Sequence, residues 1–128
     1  MNVKPIPLSF DELHKLGIQV VYTHMVDHGY KVLAVRSEQG ENPQILATKD
    51  GRRYAVVVRT ARYPNMGVLI PETARKVLDF AAPNNVICLF ASVGIANQSG
   101  DTDEEMSVPV RNGEYIINFK GLSPFPNI

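Results

Sequence analysis

The sequence predicts an α/β (α+β) domain, and three observations carry that prediction. A capping box opens a long amphipathic helix near the N-terminus. Two β-branched runs flank an Asp50-Gly51 turn. A proline-started helix then separates that hairpin from another apolar strand. With 128 residues the chain is expected to form a single domain over 1–128. That length suffices to bury a core without disulfides or a metal staple.

The elements follow in order. Ser9 with Glu12 three residues later reads as the reciprocal N-terminal cap of a helix. Phe10, Leu13, Leu16, Val20, Val21 and Met25 recur at helical spacing, which predicts a helix over 10–28. Gly17 is a potential interruption and Gly29 suits a left-handed C-terminal cap. Residues 30–36 and 43–48 read as strands separated by a polar turn. Asp50-Gly51 tolerates the positive φ angles of a two-residue hairpin turn, so 53–60 is the returning strand. A loop over 61–70 leads to Pro71, which fits the first position of a helix because its missing N–H would be unbonded there anyway. That helix runs to Ala82, where Pro83 stops it.

Residues 86–93 form an unbroken apolar run, expected to be a strand buried on both faces. The strand–helix–strand order implies a right-handed crossover between parallel strands. Residues 96–105 are polar and acidic and read as a solvated loop, without the ligand spacing of a calcium loop. Asn112-Gly113 predicts a C-terminal β-hairpin between 107–111 and 114–120, and the proline-containing tail from Ser123 is expected along the surface.

Composition narrows the function. The formal charge is zero, so the chain lacks the overall basic balance of a nucleic-acid-binding domain. The one cysteine, Cys88, excludes an internal disulfide and a cysteine-built zinc site. It lies in the apolar run Val86–Phe90, which predicts a buried, inert thiol. Neither a signal peptide nor an apolar stretch of membrane-spanning length is visible, and the expected location is the cytoplasm.

The order α-β-β-β-α-β, with Gly29-Tyr30-Lys31-Val32-Leu33 joining helix to strand and Asn42-Pro43-Gln44 opening the hairpin, resembles the core of the PD-(D/E)XK nuclease superfamily, the restriction-endonuclease-like fold. The resemblance covers roughly residues 10–93. It implies a metal-binding face on the hairpin: an aspartate after the proline, a glutamate and a lysine two apart on the return strand, and in many members a glutamate on the first helix. In this chain those positions fall on Gln44, Val57, Arg59 and Gln19. Mg²⁺ needs hard oxygen ligands, usually including one or two carboxylates. Valine offers none, glutamine one neutral oxygen, and arginine a charge of the metal's own sign. At ~4 Å and an effective dielectric of ~20 two unit charges repel by about 4 kcal/mol, and a divalent ion doubles that. The resemblance therefore implies a degenerate member that does not cut nucleic acid and holds no metal or other cofactor. Its role would be that of a binding or interaction module, with Gln19, Gln44, Val57 and Arg59 as a former active site able to accept an anion.

Other residues also offer chemistry. Lys49, Arg52, Arg53 and Arg62, with Tyr54 and Tyr63 among them, could follow a phosphate backbone, or the basic residues could simply solvate a hairpin tip. His24 and His28 share a helix face but lack a third ligand in sequence. Glu38, Glu41, Asp50 and Glu72 could supply a relocated acidic active site. Partners left open are a second copy of the chain, another protein, or nucleic acid; a membrane is not expected.

Overall fold

A computed structural model describes residues 4–125. Helix α1 (Phe10–Asp27) is followed by strands β1 (Lys31–Val35), β2 (Ile45–Lys49) and β3 (Arg52–Arg62). Helix α2 (Pro71–Ala81), strand β4 (Val86–Asn97), a short helix α3 (Asp103–Met106), and strands β5 (Tyr115–Phe119) and β6 (Ser123–Pro124) complete the chain. The fold is α+β. The sheet runs β1-β2-β3-β4-β5, with β6 paired to β4 beside β5. β1, β2 and β3 form an antiparallel meander, β3 and β4 are parallel, and β5 and β6 run antiparallel to β4.

The predicted caps are in place. Ser9 Oγ accepts from the Glu12 N–H at 3.1 Å, and Glu12 Oε1 accepts from the Ser9 N–H at 3.0 Å. Gly29 ends α1 with φ of 87°. Asp50 and Gly51, with φ of 51° and 77°, form the tight turn that joins Lys49 to its partner Arg52. Gly17 does not break α1. It is buried where the helix backbone crosses the sheet, and a β-carbon there would overlap the Thr60 hydroxyl.

The two helices cover opposite faces of the sheet. Leu13, Ile18, Val21 and Met25 of α1 pack against Ile45, Val56, Val58 and Val93. Val77 and Ala81 of α2 pack against Val57 and Cys88. Successive residues of β3 thus serve opposite layers, as the two-residue period of a strand requires.

Several elements differ from expectation. β3 reaches Arg62 because parallel pairing continues through Arg62↔Ile95, and β4 reaches Asn97 because Ala96 and Asn97 pair with β5. Three residues of 3₁₀ helix, Ala82–Asn84, follow α2 before Asn85 turns the chain at φ of 55°. The acidic segment is not wholly loop: Thr102 Oγ1 accepts from the Glu105 N–H at 3.1 Å and caps α3. Ser123 and Pro124 lie exposed along the surface as expected, but they also pair with β4 as β6. The C-terminal hairpin does not form. The turn exists, with Asn112 at φ of 58°, but among the described residues the only strand-like pairing of the preceding segment is a bridge from Val110 to Pro7. Pro109 has no N–H to offer β5, and its carbonyl instead accepts from the Leu8 N–H at 2.9 Å. β5 finds its partner in β4.

Candidate functional site

The side chain that organises this region is Gln44, just before β2. Its residue is 1% exposed. Beyond Ile45↔Val56 the β2–β3 ladder ends, and the Val58 N–H points toward Gln44. Gln44 Oε1 accepts from that N–H at 2.8 Å. Gln44 Nε2 donates to the Glu41 carbonyl at 2.7 Å and to Asn42 Oδ1 at 3.0 Å. The amide therefore extends the ladder by one bond and ties down the preceding loop. A carboxylate could not reproduce this pattern, because two of its partners are themselves acceptors.

Arg59 lies above it, half-buried near the end of β3. Nη1 donates to the Val58 carbonyl at 3.0 Å and reaches Gln44 Oε1 at 3.4 Å, while Nη2 donates to Asn42 Oδ1 at 2.8 Å. All three partners are neutral. Among the described residues no carboxylate forms an ion pair with Arg59. Five N–H donors and three contacts leave part of the fork, including Nε–H, without an acceptor among the described residues. Burial pulls the guanidinium's pKa below its usual value.

Two clefts meet at Arg59. One, of about 270 Å³, is lined by Phe10, His14, Gly40, Gln44 and Thr60. The other, of about 390 Å³, passes over Asn42 toward Glu72, Thr73 and Lys76 of α2. The imidazole of His14 is held below its ordinary pKa, first by burial and then by the charge of Arg59. His14 Nε2 and Thr60 Oγ1 are both buried with no hydrogen-bond partner among the described residues.

The four residues of the sequence-predicted site are not all brought together. Gln44 and Arg59 meet. Val57 is fully buried against Val77 and Ala81, beneath α2, and lines neither cleft. Gln19 is exposed on α1, away from the cleft. The helix instead presents His14. Five residues at about 100° each place Gln19 roughly 140° around the axis from it. Sequence reading missed His14, and the signal that could have found it was its one-turn offset from the capping box that fixes the helix start.

The basic residues do not form one surface either. Lys49, Arg52 and Arg53 cluster at the hairpin turn, and Arg62 is at the opposite end of β3, about 30 Å away at 3.3 Å per residue. Arg62 instead covers the exposed Phe10 ring, 5.3 Å from its centroid. The two tyrosines are engaged internally. Tyr54 packs edge-on to Tyr30, and the Tyr63 hydroxyl donates to Asp103 Oδ1 at 3.0 Å, which raises its pKa.

Nor do the histidines or acids assemble. The rings of His24 and His28 stack at 4.0 Å, His24 meets Phe119 edge-on, and His28 Nδ1 lies 2.7 Å from the His24 carbonyl. Among the described residues no three His, Cys, Asp or Glu side chains lie close enough together to hold a metal ion. Asp50 sits in the hairpin turn, and Glu72 pairs with Lys76 at 3.3 Å on the surface of α2. Among the described residues no helix is long and apolar enough to cross a membrane.

Residues 11–125, nearly the whole chain, match the family described as Domain of unknown function (DUF8840). The chain belongs to the DUF8840 family. That match takes in every element from α1 to β6 and therefore both sides of the Arg59 cleft. No curated protein and no solved structure matches the chain. For this DUF8840 domain, then, the chemistry of Arg59, His14 and Gln44 has to be read from its own geometry.

Proposed function

We propose that this domain is a non-catalytic relative of the PD-(D/E)XK nucleases that works as a binding module, with the cleft at Arg59 accepting an oxyanion such as phosphate or carboxylate. The observation that carries the reading is the unbalanced charge of Arg59: a half-buried guanidinium held only by neutral acceptors, with donors left over at the mouth of two clefts. An arginine buried for structure alone is normally paired. A guanidinium fork suits bidentate oxyanion recognition.

The kinship is supported by the element order and by the mixed sheet, in which an antiparallel hairpin joins a parallel partner strand through α2. The residues do not fit the divalent metal that this kinship would imply. Gln44 has spent its oxygen on the Val58 N–H, Val57 is buried beneath α2 and carries no ligand atom, and Arg59 repels cations. No catalytic step through a metal follows.

The test is an NMR titration of the full chain with inorganic phosphate, and separately with a short DNA duplex, on wild type and Arg59→Gln. Saturable shifts of the Arg59 Nε–H and neighbouring amides, lost in the variant, are expected with phosphate. DNA binding that survives Arg59→Gln but is lost on Arg52→Ala would place the ligand at the hairpin turn and overturn the cleft reading. So would Mg²⁺-dependent cleavage of DNA or RNA.

A further inference from the structure

The sheet has two outer edges, and they are unequal. β1 is interrupted by a register shift between Val32 and Ala34, and Lys31 and Arg36 flank it. A bulge and basic residues are the usual protection of an edge against pairing. β5 has neither a bulge, an internal charge nor a proline.

The outward hydrogen-bonding groups of β5 can be assigned from its register. The Gln98 N–H donates to the Glu114 carbonyl at 3.0 Å, so Glu114 faces β4. In an antiparallel ladder alternate residues turn inward and outward. Ile116 and Asn118 therefore bond toward β4, while the N–H and C=O of Tyr115, Ile117 and Phe119 point away from the sheet. Among the described residues nothing pairs with that edge. Ile116 and Ile117, on its two faces, are 46% and 38% exposed.

The segment Glu114–Lys120 is also self-complementary. If two copies pair antiparallel about Ile117, Tyr115 lies opposite Phe119, Ile116 opposite Asn118, and Glu114 opposite Lys120 at both ends. All outward residues then face outward partners. Glu114 and Lys120 are exposed, and neither has a salt-bridge partner among the described residues. The same operation on β1 would set Lys31 near Arg36, two like charges, which disfavours pairing. We propose that β5 is a self-association edge through which two copies of this chain join their sheets, in register about Ile117, with reciprocal Glu114–Lys120 pairs at the ends.

A five-residue strand buries less than the ~800 Å² per partner of a standard interface, so the dimer should be concentration-dependent. Sedimentation velocity on the full chain across a wide concentration range is expected to show a reversible monomer–dimer equilibrium. Ile117→Pro removes an outward N–H and leaves the bonds to β4 intact, so it should abolish the dimer. Because that variant could unfold the edge, a charge exchange provides the second arm. Glu114→Lys alone or Lys120→Glu alone makes both end pairs repulsive and should weaken association by about tenfold. An equimolar mixture of the two variants places opposite charges across the edge again and should restore the wild-type constant. A chain that is monomeric at all concentrations overturns the proposal. So does a dimer indifferent to these substitutions, or single variants that mixing does not rescue.

Discussion

Gly17 of α1 and Thr60 of β3 touch so closely that no side chain fits between them: a β-carbon on Gly17 would overlap the Thr60 Oγ1. This approach sets the height of α1 above the sheet, and with it the position of His14 beside Arg59. Gly17→Ala gains helix propensity but must push the helix off the sheet, and the net effect should be destabilisation by about 1–3 kcal/mol. Chemical denaturation measures it. Gly17→Ala paired with Thr60→Ala should recover part of the loss, since the second change removes the atom that is struck.

Gln44 is expected to be a stability residue as much as a site residue. Gln44→Leu keeps the volume but strips the acceptor from the buried Val58 N–H. A buried donor left unbonded costs about 1–3 kcal/mol, which should appear in the denaturation midpoint. Hydrogen exchange at Val58 should accelerate by more than at Val56, whose pairing with Ile45 is untouched.

Arg59 should behave in the opposite way. Its charge is half-buried without an acid, so Arg59→Met removes a desolvation cost together with three hydrogen bonds to neutral groups. In a buffer free of multivalent anions the variant should be as stable as wild type, or more stable by up to about 2 kcal/mol. Added phosphate should raise the melting temperature of wild type only, because a ligand stabilises in proportion to its occupancy of the folded state.

Acid should both weaken the fold and strengthen the cleft. His14 and His24 are held below the usual histidine pKa, mainly by burial, with Arg59 opposing the charge on His14 and His28 that on His24. As pH falls through about 6.5, the unfolded chain takes up protons that the folded chain resists. The stabilisation is complete above that pH and is lost as pH drops toward the folded values. His14→Gln should flatten part of that slope. In the folded state, protonated His14 adds a second positive charge near Arg59, so phosphate affinity should rise over the same interval in wild type and not in His14→Gln.

Cys88 should be slow to react. It is 9% exposed, packs against Val57, Val77 and Ala81, and burial raises its thiol pKa. Thiolate is the reactive form, so modification by a neutral disulfide reagent should be far slower than for a free thiol and should reach full rate only in denaturant.

The sequence by itself determined the local events. Ser9 with Glu12, Gly29, Asp50-Gly51 and Pro71 each specify a cap or a turn through their own backbone chemistry, and each took the predicted form. The order of elements and the parallel β3–β4 pair followed from them. Tertiary structure decided what depends on a partner distant in sequence. The 107–111 segment has hairpin spacing, but Pro109 cannot complete the ladder and β4 offered β5 a better edge. Val57 and Arg59 share one face by the strand period as foreseen, yet α2 closes over Val57 and leaves Arg59 at the surface of a cleft. Gln19 and His14 are both polar residues of one helix, and the packing of Leu13, Gly17, Ile18 and Val21 on the sheet turns His14, not Gln19, toward the Arg59 cleft. The Asp50-Gly51 turn was legible because two residues suffice to make it. The site it supports was not, because burial and pairing are properties of neighbours brought together by the fold.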